Sequence, residues 1–144
     1  MKRRRGVAIL EFAAGSGLLL AIFSGTFDFG YTLIQYNRLE TAVAQAARYA
    51  SIVPYDSPNT TPSAAFLASV RNMALYGNPA VGHSVVVGGL TAANIQLQVT
   101  FANGVPATMQ VSITGYNIYA LFGTHPLTGK PRVSYPYQGV WAPA

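Results

Sequence analysis

The sequence contains no cysteine, and only four of its 144 residues are acidic. Without cysteine the chain has neither a disulfide framework nor a thiolate site. Charged residues make up 9% of the chain, whereas a typical soluble protein carries about 25%. This deficit of charge indicates that part of the chain lies in lipid or inside a protein assembly.

Residues that could perform catalysis or hold a metal ion are also scarce. Beyond Phe27 the chain has two histidines and three acids: His83, His125, Asp28, Glu40 and Asp56. Neither histidine has a partner at the spacing of a metal site or a catalytic triad, so we interpret both as loop residues. We therefore expect no catalytic, metal-binding or cofactor-binding residue, and a protein that is not an enzyme.

The net charge of +5 comes mostly from the N-terminus. Four of the nine positive residues form one cluster, Lys2, Arg3, Arg4 and Arg5. Five positive and four negative side chains remain from Val7 onward, so the rest of the chain is close to neutral. No basic face interleaved with aromatic residues is left, and we do not expect nucleic-acid binding.

An apolar stretch of 21 residues follows the cluster, from Val7 to Phe27, and its only charge is Glu11. As a helix it would be about 31 Å long, enough to cross a membrane. The positive cluster should stay in the cytoplasm, so the rest of the chain should be exported. A cleaved secretory signal fits less well, because a carboxylate lies early in the apolar region and no small-x-small site precedes Asp28.

The helical pattern continues beyond the apolar stretch. Apolar residues are spaced as on one face of a helix at Leu39, Ala42, Val43, Ala46, Ala47 and Ala50. No proline occurs before Val53-Pro54, where we expect the helix to end. The sequence therefore predicts one helix over residues 7–52, with Ser16-Gly17 as a place to bend or partly melt.

The remainder, residues 53–144, predicts a small exported α+β domain. Thr61 and Pro62 are typical of a helix start, and an apolar stripe predicts a short second helix over residues 63–76. Alternating residues at 95–101 and 109–113 predict a hairpin connected through residues 102–106. The predicted fold is thus α+β, with a long N-terminal helix, a second short helix and a small antiparallel sheet.

Three further segments carry weaker patterns. Residues 85–87 could form a short strand, residues 116–122 should pack under the sheet, and residues 132–141 could form an edge strand that tolerates Pro136. The aromatic residues of this region favour core and edge-strand packing over a sticky surface patch. They are Tyr116, Tyr119, Phe122, Tyr135, Tyr137 and Trp141.

Glu11 is the residue that a plain membrane anchor does not explain. A carboxylate at the centre of a membrane helix costs roughly 2.5–3.5 kcal/mol, so such residues usually carry function. Glu11 lies only about 6 Å beyond Val7 along the helix axis, which lowers this cost. A cut between Gly6 and Val7 would create an amine four residues before Glu11, and that amine could pair with Glu11 of a neighbouring subunit.

This N-terminus resembles that of type IV pilins and pseudopilins. The matching residues are the basic leader Lys2 to Arg5, Gly6 at the cleavage position, Glu11 five residues on, and Phe12 after it. More narrowly it resembles the TadE-like pseudopilins of the Tad (tight adherence) secretion and pilus system. That narrower likeness covers roughly residues 5–51 through Arg5 to Ala13, Asp28 to Gly30, Leu39 to Ala42 and Ala46 to Ala50.

The resemblance implies a pilin-like fold and a minor structural role in a type IVc pilus used for surface adherence. It implies a leader at residues 1–6, cleavage by a prepilin peptidase between Gly6 and Val7, and an assembly role for Glu11 and Phe12. The implied partners are the major pilin, other pseudopilins, membrane lipid and an inner-membrane platform with its motor ATPase. The chain would first span the inner membrane with a periplasmic C-terminal domain, and would later lie in an extracellular pilus.

One departure and two alternatives accompany this interpretation. TadE-like helices often carry a proline in the first half of the apolar stretch, where this chain has Gly15-Ser16-Gly17. The main alternative is an unprocessed single-pass membrane protein whose exported domain binds a ligand or a partner, for which Gly6 would have no role. A membrane-anchored enzyme that uses His83 or His125 is the more distant alternative.

Overall fold

The computed structural model describes residues 2–143, and side chains from Gly6 to Pro143. The predicted α+β architecture is confirmed, with two helices and a three-stranded antiparallel sheet in the order β1-β2-β3. The helices and strands are α1 (Lys2–Ile52), α2 (Ala64–Tyr76), β1 (Ile95–Ala102), β2 (Val105–Tyr119) and β3 (Thr124–Pro136), with a 3-10 turn at Ala92–Asn94 before β1.

Helix α1 is a single helix of 51 residues, about 77 Å long. It continues through Gly6 and through Gly15-Ser16-Gly17, so the predicted bend or melting at Ser16-Gly17 is not found. A glycine keeps its N–H and weakens a helix by only about 1 kcal/mol, whereas a proline removes the hydrogen bond. The predicted end of the helix is confirmed, because Pro54 follows directly after the last turn.

The second half of α1 supplies one wall of the hydrophobic core. All six residues of the predicted apolar stripe are buried, none with more than 2% of its surface exposed: Leu39, Ala42, Val43, Ala46, Ala47 and Ala50. They pack against α2 and against one face of the sheet. Four of the six are alanines, whose small side chains allow the helix axis to lie close to its neighbours.

Helix α2 begins one residue later than predicted, and its N-cap lies two residues later than predicted. The prediction of Thr61 as its N-cap is wrong, because Ser63 caps the helix and its hydroxyl accepts the N–H of Phe66 at 3.1 Å. Thr61 lies in the preceding loop, where its N–H donates to the side chain of Asn59 at 2.8 Å. The predicted end is confirmed at Gly77, which adopts the left-handed conformation (φ +68°).

The hairpin of β1 and β2 is confirmed, and so is its buried face. Ile95 lies opposite Ile113, and the more buried residues alternate from Ile95 to Phe101 in β1 and from Met109 to Ile113 in β2. The connection is shorter than predicted, since only Asn103 (φ +53°) and Gly104 (φ +81°) form the turn. This pair is the usual choice where two consecutive residues need positive φ.

The second half of the sheet differs from the prediction. Residues 116–119 do not pack under the sheet; they extend β2, which is 15 residues long and pairs with β3 as far as Tyr119 opposite Thr124. The predicted edge strand exists, but it begins at Thr124 rather than Arg132 and ends at Pro136. The prediction of a strand at residues 85–87 is wrong: this segment is a loop held by the Val86 N–H, which donates to the Leu75 carbonyl at 2.7 Å.

Tyr55 lies in the core of the domain, just beyond the C-terminal end of α1. Its side chain is fully buried, and its ring packs edge-on against Phe66, with 5.2 Å between the ring centroids. Its N–H lies 2.8 Å from the hydroxyl of Tyr137. A short β-bridge to Trp141 ties the C-terminal segment to this site. The sequence places Tyr55 in a proline-rich loop, so its central position was not predicted.

Candidate functional site on helix α1

The part of α1 that precedes Asp28 lies outside the folded domain. We call residues 6–27 the free segment. Its large apolar side chains are exposed in all directions around the helix, from Val7 at 55% to Phe12 at 78%. By length and composition α1 is able to cross a membrane, and its most apolar window has no buried residue. An apolar N-terminal helix of this kind suggests membrane anchoring.

The residues predicted to act in cleavage and assembly all lie at the start of the free segment. Gly6 and Val7 are within the helix, and a Cβ added at Gly6 would meet no other heavy atom within 4 Å. Glu11 and Phe12 are exposed on adjacent faces one turn later. The side chains of Lys2, Arg3, Arg4 and Arg5, the predicted leader, lie outside the described residues.

The carboxylate of Glu11 accepts no hydrogen bond from any side chain or backbone group described between residues 6 and 143. It lies about 6 Å along the helix axis from Val7, and the surrounding side chains are apolar. A carboxylate in such surroundings is stabilised by a cationic partner that becomes desolvated together with it. Within the part of the chain whose side chains are described, the Glu11 carboxylate is therefore exposed and has no partner.

A shallow groove of about 560 Å³ lies on the free segment. It exists because Gly15 and Ser16 have little or no side chain between Phe12 and the leucines of the next turn. Small residues flanked by large apolar ones let a second helix approach closely in an apolar environment. The residues that line the groove are Phe12, Gly15, Ser16, Leu19 and Leu20.

The free segment ends where the sheet reaches α1. The turn between β2 and β3 lies beside Asp28, whose carboxylate accepts the backbone N–H of Phe122 at 3.0 Å. A gap of about 240 Å³ separates the turn from the helix, between Phe27 and Tyr31 on one side and Tyr119 and Leu121 on the other. The sequence analysis did not predict this contact between Asp28 and the β2–β3 turn.

Two further grooves flank the polar face of α1 within the domain. One, of about 410 Å³, extends toward Tyr135 of β3, and the other, of about 550 Å³, extends toward Val86. Both are lined by Asn37, Thr41 and Gln45, so this face of the helix lies open between the sheet edge and the loop before β1.

The titratable groups with altered pKa values lie away from the free segment. Burial raises the pKa of Tyr55, Tyr116 and Tyr137 above 10.0.

Both histidines are exposed; His83 lies in a loop as predicted, but His125 lies in β3 rather than in a loop. Within residues 2–143 there is no group of three or more His, Cys, Asp or Glu side chains placed to hold a metal ion.

The sequence profile of the family described as "TadE-like protein" matches residues 6–48. The chain carries a TadE-like segment. The matched residues include the free segment and all of the buried apolar stripe of α1 except Ala50, so the match extends from the exposed start of the helix into the core. The match confirms, over residues 6–48, the resemblance seen in the sequence. Comparisons with curated proteins and with solved structures give no match.

Proposed function

We propose that this chain is a minor pilin, or pseudopilin, of a Tad-type (type IVc) pilus. A prepilin peptidase would remove residues 1–6, leaving an assembly helix at residues 7–52 and an exported domain at residues 53–144. The observation that carries this proposal is the free segment of α1, an apolar helix whose large side chains are exposed. Its one carboxylate, Glu11 near its start, has no partner among the side chains described from Gly6 to Pro143.

The exposed apolar surface of the free segment must be shielded from water. Lipid covers it while the chain is held in the inner membrane with its domain in the periplasm. Neighbouring helices cover it after assembly, and the groove at Gly15 and Ser16 accepts side chains of an adjacent helix. One surface therefore suits both environments, since both are apolar and neither needs a hydrogen bond from these side chains.

Cleavage between Gly6 and Val7 gives Glu11 its function. The new amine of one subunit would pair with the Glu11 carboxylate of the next, with the two helices staggered along the filament axis. Breaking such a pair after burial costs about 3–5 kcal/mol, because it leaves one charge without a partner. The pair therefore favours one axial position of each new subunit over all others.

The surroundings of Gly6 support peptidase access. The junction is helical, but no other part of the described chain approaches within 4 Å of a Cβ built at Gly6. Opening the helix there breaks only its own hydrogen bonds, and helix ends fray at little cost. A peptidase can thus reach the bond without disturbing the domain.

Intact mass spectrometry of the chain from cells with an active prepilin peptidase tests the proposal. We expect a mature chain that begins at Val7. The variant Gly6→Leu should keep the leader, whereas Gly15→Leu, a matched change in the same helix, should be cut normally. A wild-type chain that still begins at Met1 in such cells would contradict the proposal.

The two grooves beside Thr41 and Gln45 favour a second candidate function. An unprocessed single-pass membrane protein could use them to bind a ligand or an envelope partner. Under this alternative wild type and Gly6→Leu both keep residues 1–6 and function equally, and their masses differ only by the substitution, so the same experiment separates the two candidates.

A further inference from the structure

We infer that the tip of the β2–β3 hairpin, residues 119–123, is a second membrane contact. The tip would lie in the lipid–water interface on the exported side, beside the point where α1 leaves the bilayer. This inference rests on the membrane stage of the proposed function, but it requires neither cleavage nor filament assembly.

The position of the tip along α1 comes from one hydrogen bond. The N–H of Phe122 donates to the carboxylate of Asp28 at 3.0 Å. Asp28 is the first charged residue after Glu11, so the apolar stretch that can span a bilayer ends there. The hairpin tip is therefore held at the level along the helix where the hydrocarbon core meets the headgroups.

The side chains of the tip are those that an interface accepts. Tyr119, Leu121 and Phe122 are each about two-thirds exposed or more, at 71%, 67% and 66%. Exposing three large apolar or aromatic side chains within four residues to water is unfavourable, and such exposed patches mark contact sites. Tyrosine at the membrane surface is common, because its ring lies in the apolar layer while its hydroxyl stays hydrated.

The tip carries no charged residue of its own, and the Asp28 carboxylate beside it is engaged by the Phe122 N–H. The sequence has no Asp, Glu, Lys or Arg between Arg71 and Lys130, so β2 and the tip are free of formal charge. Phe27 of α1, which lines the gap beside the tip, is also exposed, at 63%. The tip thus extends the apolar surface of the helix sideways, at the same level.

Two backbone N–H groups of the tip are hydrogen-bonded within the protein. The Ala120 N–H donates to the Gly123 carbonyl at 2.9 Å, and the Phe122 N–H donates to Asp28. Paired N–H groups remove a large part of the cost of placing a turn near lipid. The tip continues the apolar surface of the free segment, its own residues carry no charge, and part of its backbone is hydrogen-bonded. These three features favour lipid, and not a second copy of the chain, as the partner that covers the tip.

Fluorescent labelling tests this inference. The chain has no cysteine, so a single introduced cysteine takes an environment-sensitive dye at one known position. The variant Leu121→Cys carries the dye at the tip, and Val105→Cys carries it at the β1–β2 turn, at the opposite end of β2. Phe122→Cys gives a second tip position, since its side chain is also exposed. The full-length, uncut chain is placed in vesicles of phosphatidylcholine and phosphatidylglycerol.

We expect lipids that carry a nitroxide near the headgroup to quench both tip labels several-fold more than the label at residue 105. Aqueous iodide should quench the label at residue 105 more strongly. Equal quenching by iodide at both ends, without lipid quenching at the tip, would overturn the inference. A second result would also overturn the inference: dyes at the tip that quench one another as the protein-to-lipid ratio rises, with no quenching by the nitroxide lipids. That result would show that the tip contacts a second copy of the chain. A failure of Gly6 cleavage leaves these readouts unchanged, so the two proposals fail separately.

Discussion

The backbone N–H of Phe122 donates a hydrogen bond to the carboxylate of Asp28, 94 residues earlier in the chain, at 3.0 Å. A hydrogen bond to a charged acceptor is stronger than one between neutral groups. It joins the hairpin tip to α1 at the end of the free segment. This bond also makes the attachment of the tip open to a direct test.

Replacing Asp28 with alanine should release the hairpin tip. The acceptor is lost, so we expect faster hydrogen exchange at Phe122 and easier cleavage by chymotrypsin after Phe122, with a loss of about 1 kcal/mol. Asp28→Asn keeps an oxygen acceptor of the same size and should retain most of the protection. Exchange at Phe122 that is equally slow in wild type and in Asp28→Ala would show that the bond does not hold the tip.

Replacing Glu11 with alanine should stop assembly without affecting membrane insertion. The variant should reach wild-type levels in the membrane fraction but fall about a hundredfold or more in sheared pili, because the unpaired amine costs about 3–5 kcal/mol and each 1.4 kcal/mol is about tenfold in affinity. Ile9→Ala shortens an equally exposed neighbour and keeps the carboxylate, so it should be incorporated normally. Immunoblots of the two fractions give the measurement, and normal incorporation of Glu11→Ala would exclude the salt-bridge role.

Enlarging the buried alanine stripe should destabilise the domain. Ala47 is fully buried between α1 and its neighbours, so Ala47→Leu forces side chains apart and should cost about 1–3 kcal/mol. Gln45→Leu adds a similar apolar side chain on the exposed face of the same helix and should change stability little. Chemical unfolding of the full chain in mild detergent, followed by circular dichroism, compares the two. Similar midpoints for both variants would contradict the packing described here.

Removing the hydroxyl of Tyr137 should weaken the domain and alter its response to alkaline pH. The hydroxyl accepts the N–H of Tyr55 at 2.8 Å and lies 3.0 Å from the Val53 carbonyl, so Tyr137→Phe should cost about 1–3 kcal/mol. Burial raises the pKa of Tyr137 above 10.0 in the folded state. The neutral phenol therefore stabilises the fold fully below the unfolded pKa, and this contribution is lost as pH rises through the raised folded pKa.

Unfolding experiments at about pH 8 and about pH 11 separate the two effects. Wild type should lose more stability over this interval than Tyr137→Phe, which has one buried phenol fewer. Some loss should persist in the variant, because burial also raises the pKa of Tyr55 and Tyr116. An identical loss in both proteins would show that Tyr137 does not contribute to the alkaline transition.

Adding a methyl group at Gly139 should disturb the C-terminal segment. A Cβ there would lie 2.6 Å from the Val53 carbonyl and 2.7 Å from the Tyr137 hydroxyl. Gly139→Ala should therefore cost about 1–3 kcal/mol, because a backbone atom must shift. Gly123→Ala meets no atom within 4 Å and serves as the control. Thermal unfolding of both variants gives the comparison, and equal melting temperatures would contradict the close approach.

The features predicted correctly from the sequence are those set by local patterns. The six-residue stripe of α1 repeats at helical spacing, and the alternation in β1 and β2 with Asn103-Gly104 between them specifies a hairpin and its buried face. Val53-Pro54 marks the end of α1 because a proline disfavours helix in the residue before it. Each of these signals lies within a short window of the chain.

The features that were missed depend on contacts outside their own local pattern. Both Thr61 and Ser63 satisfy the local pattern of an N-cap, and the choice follows how the preceding loop folds, since the Ser63 hydroxyl donates to the carboxylate of Asp56, seven residues earlier, at 2.5 Å. The early start of β3 requires a partner strand that reaches Tyr119. The contact between Asp28 and Phe122 joins a side chain to a backbone N–H. Almost every residue has a backbone N–H, so the residue type at position 122 does not predict this bond.

The continuity of α1 has a mechanical consequence. The same rigid rod carries the free segment at one end and the core residues Leu39 to Ala50 at the other, with no hinge between them. A pull or a twist applied to residues 6–27 is therefore transmitted directly to the centre of the domain. Whatever sets the rotation of the free segment about its own axis also sets the direction in which the exported domain faces.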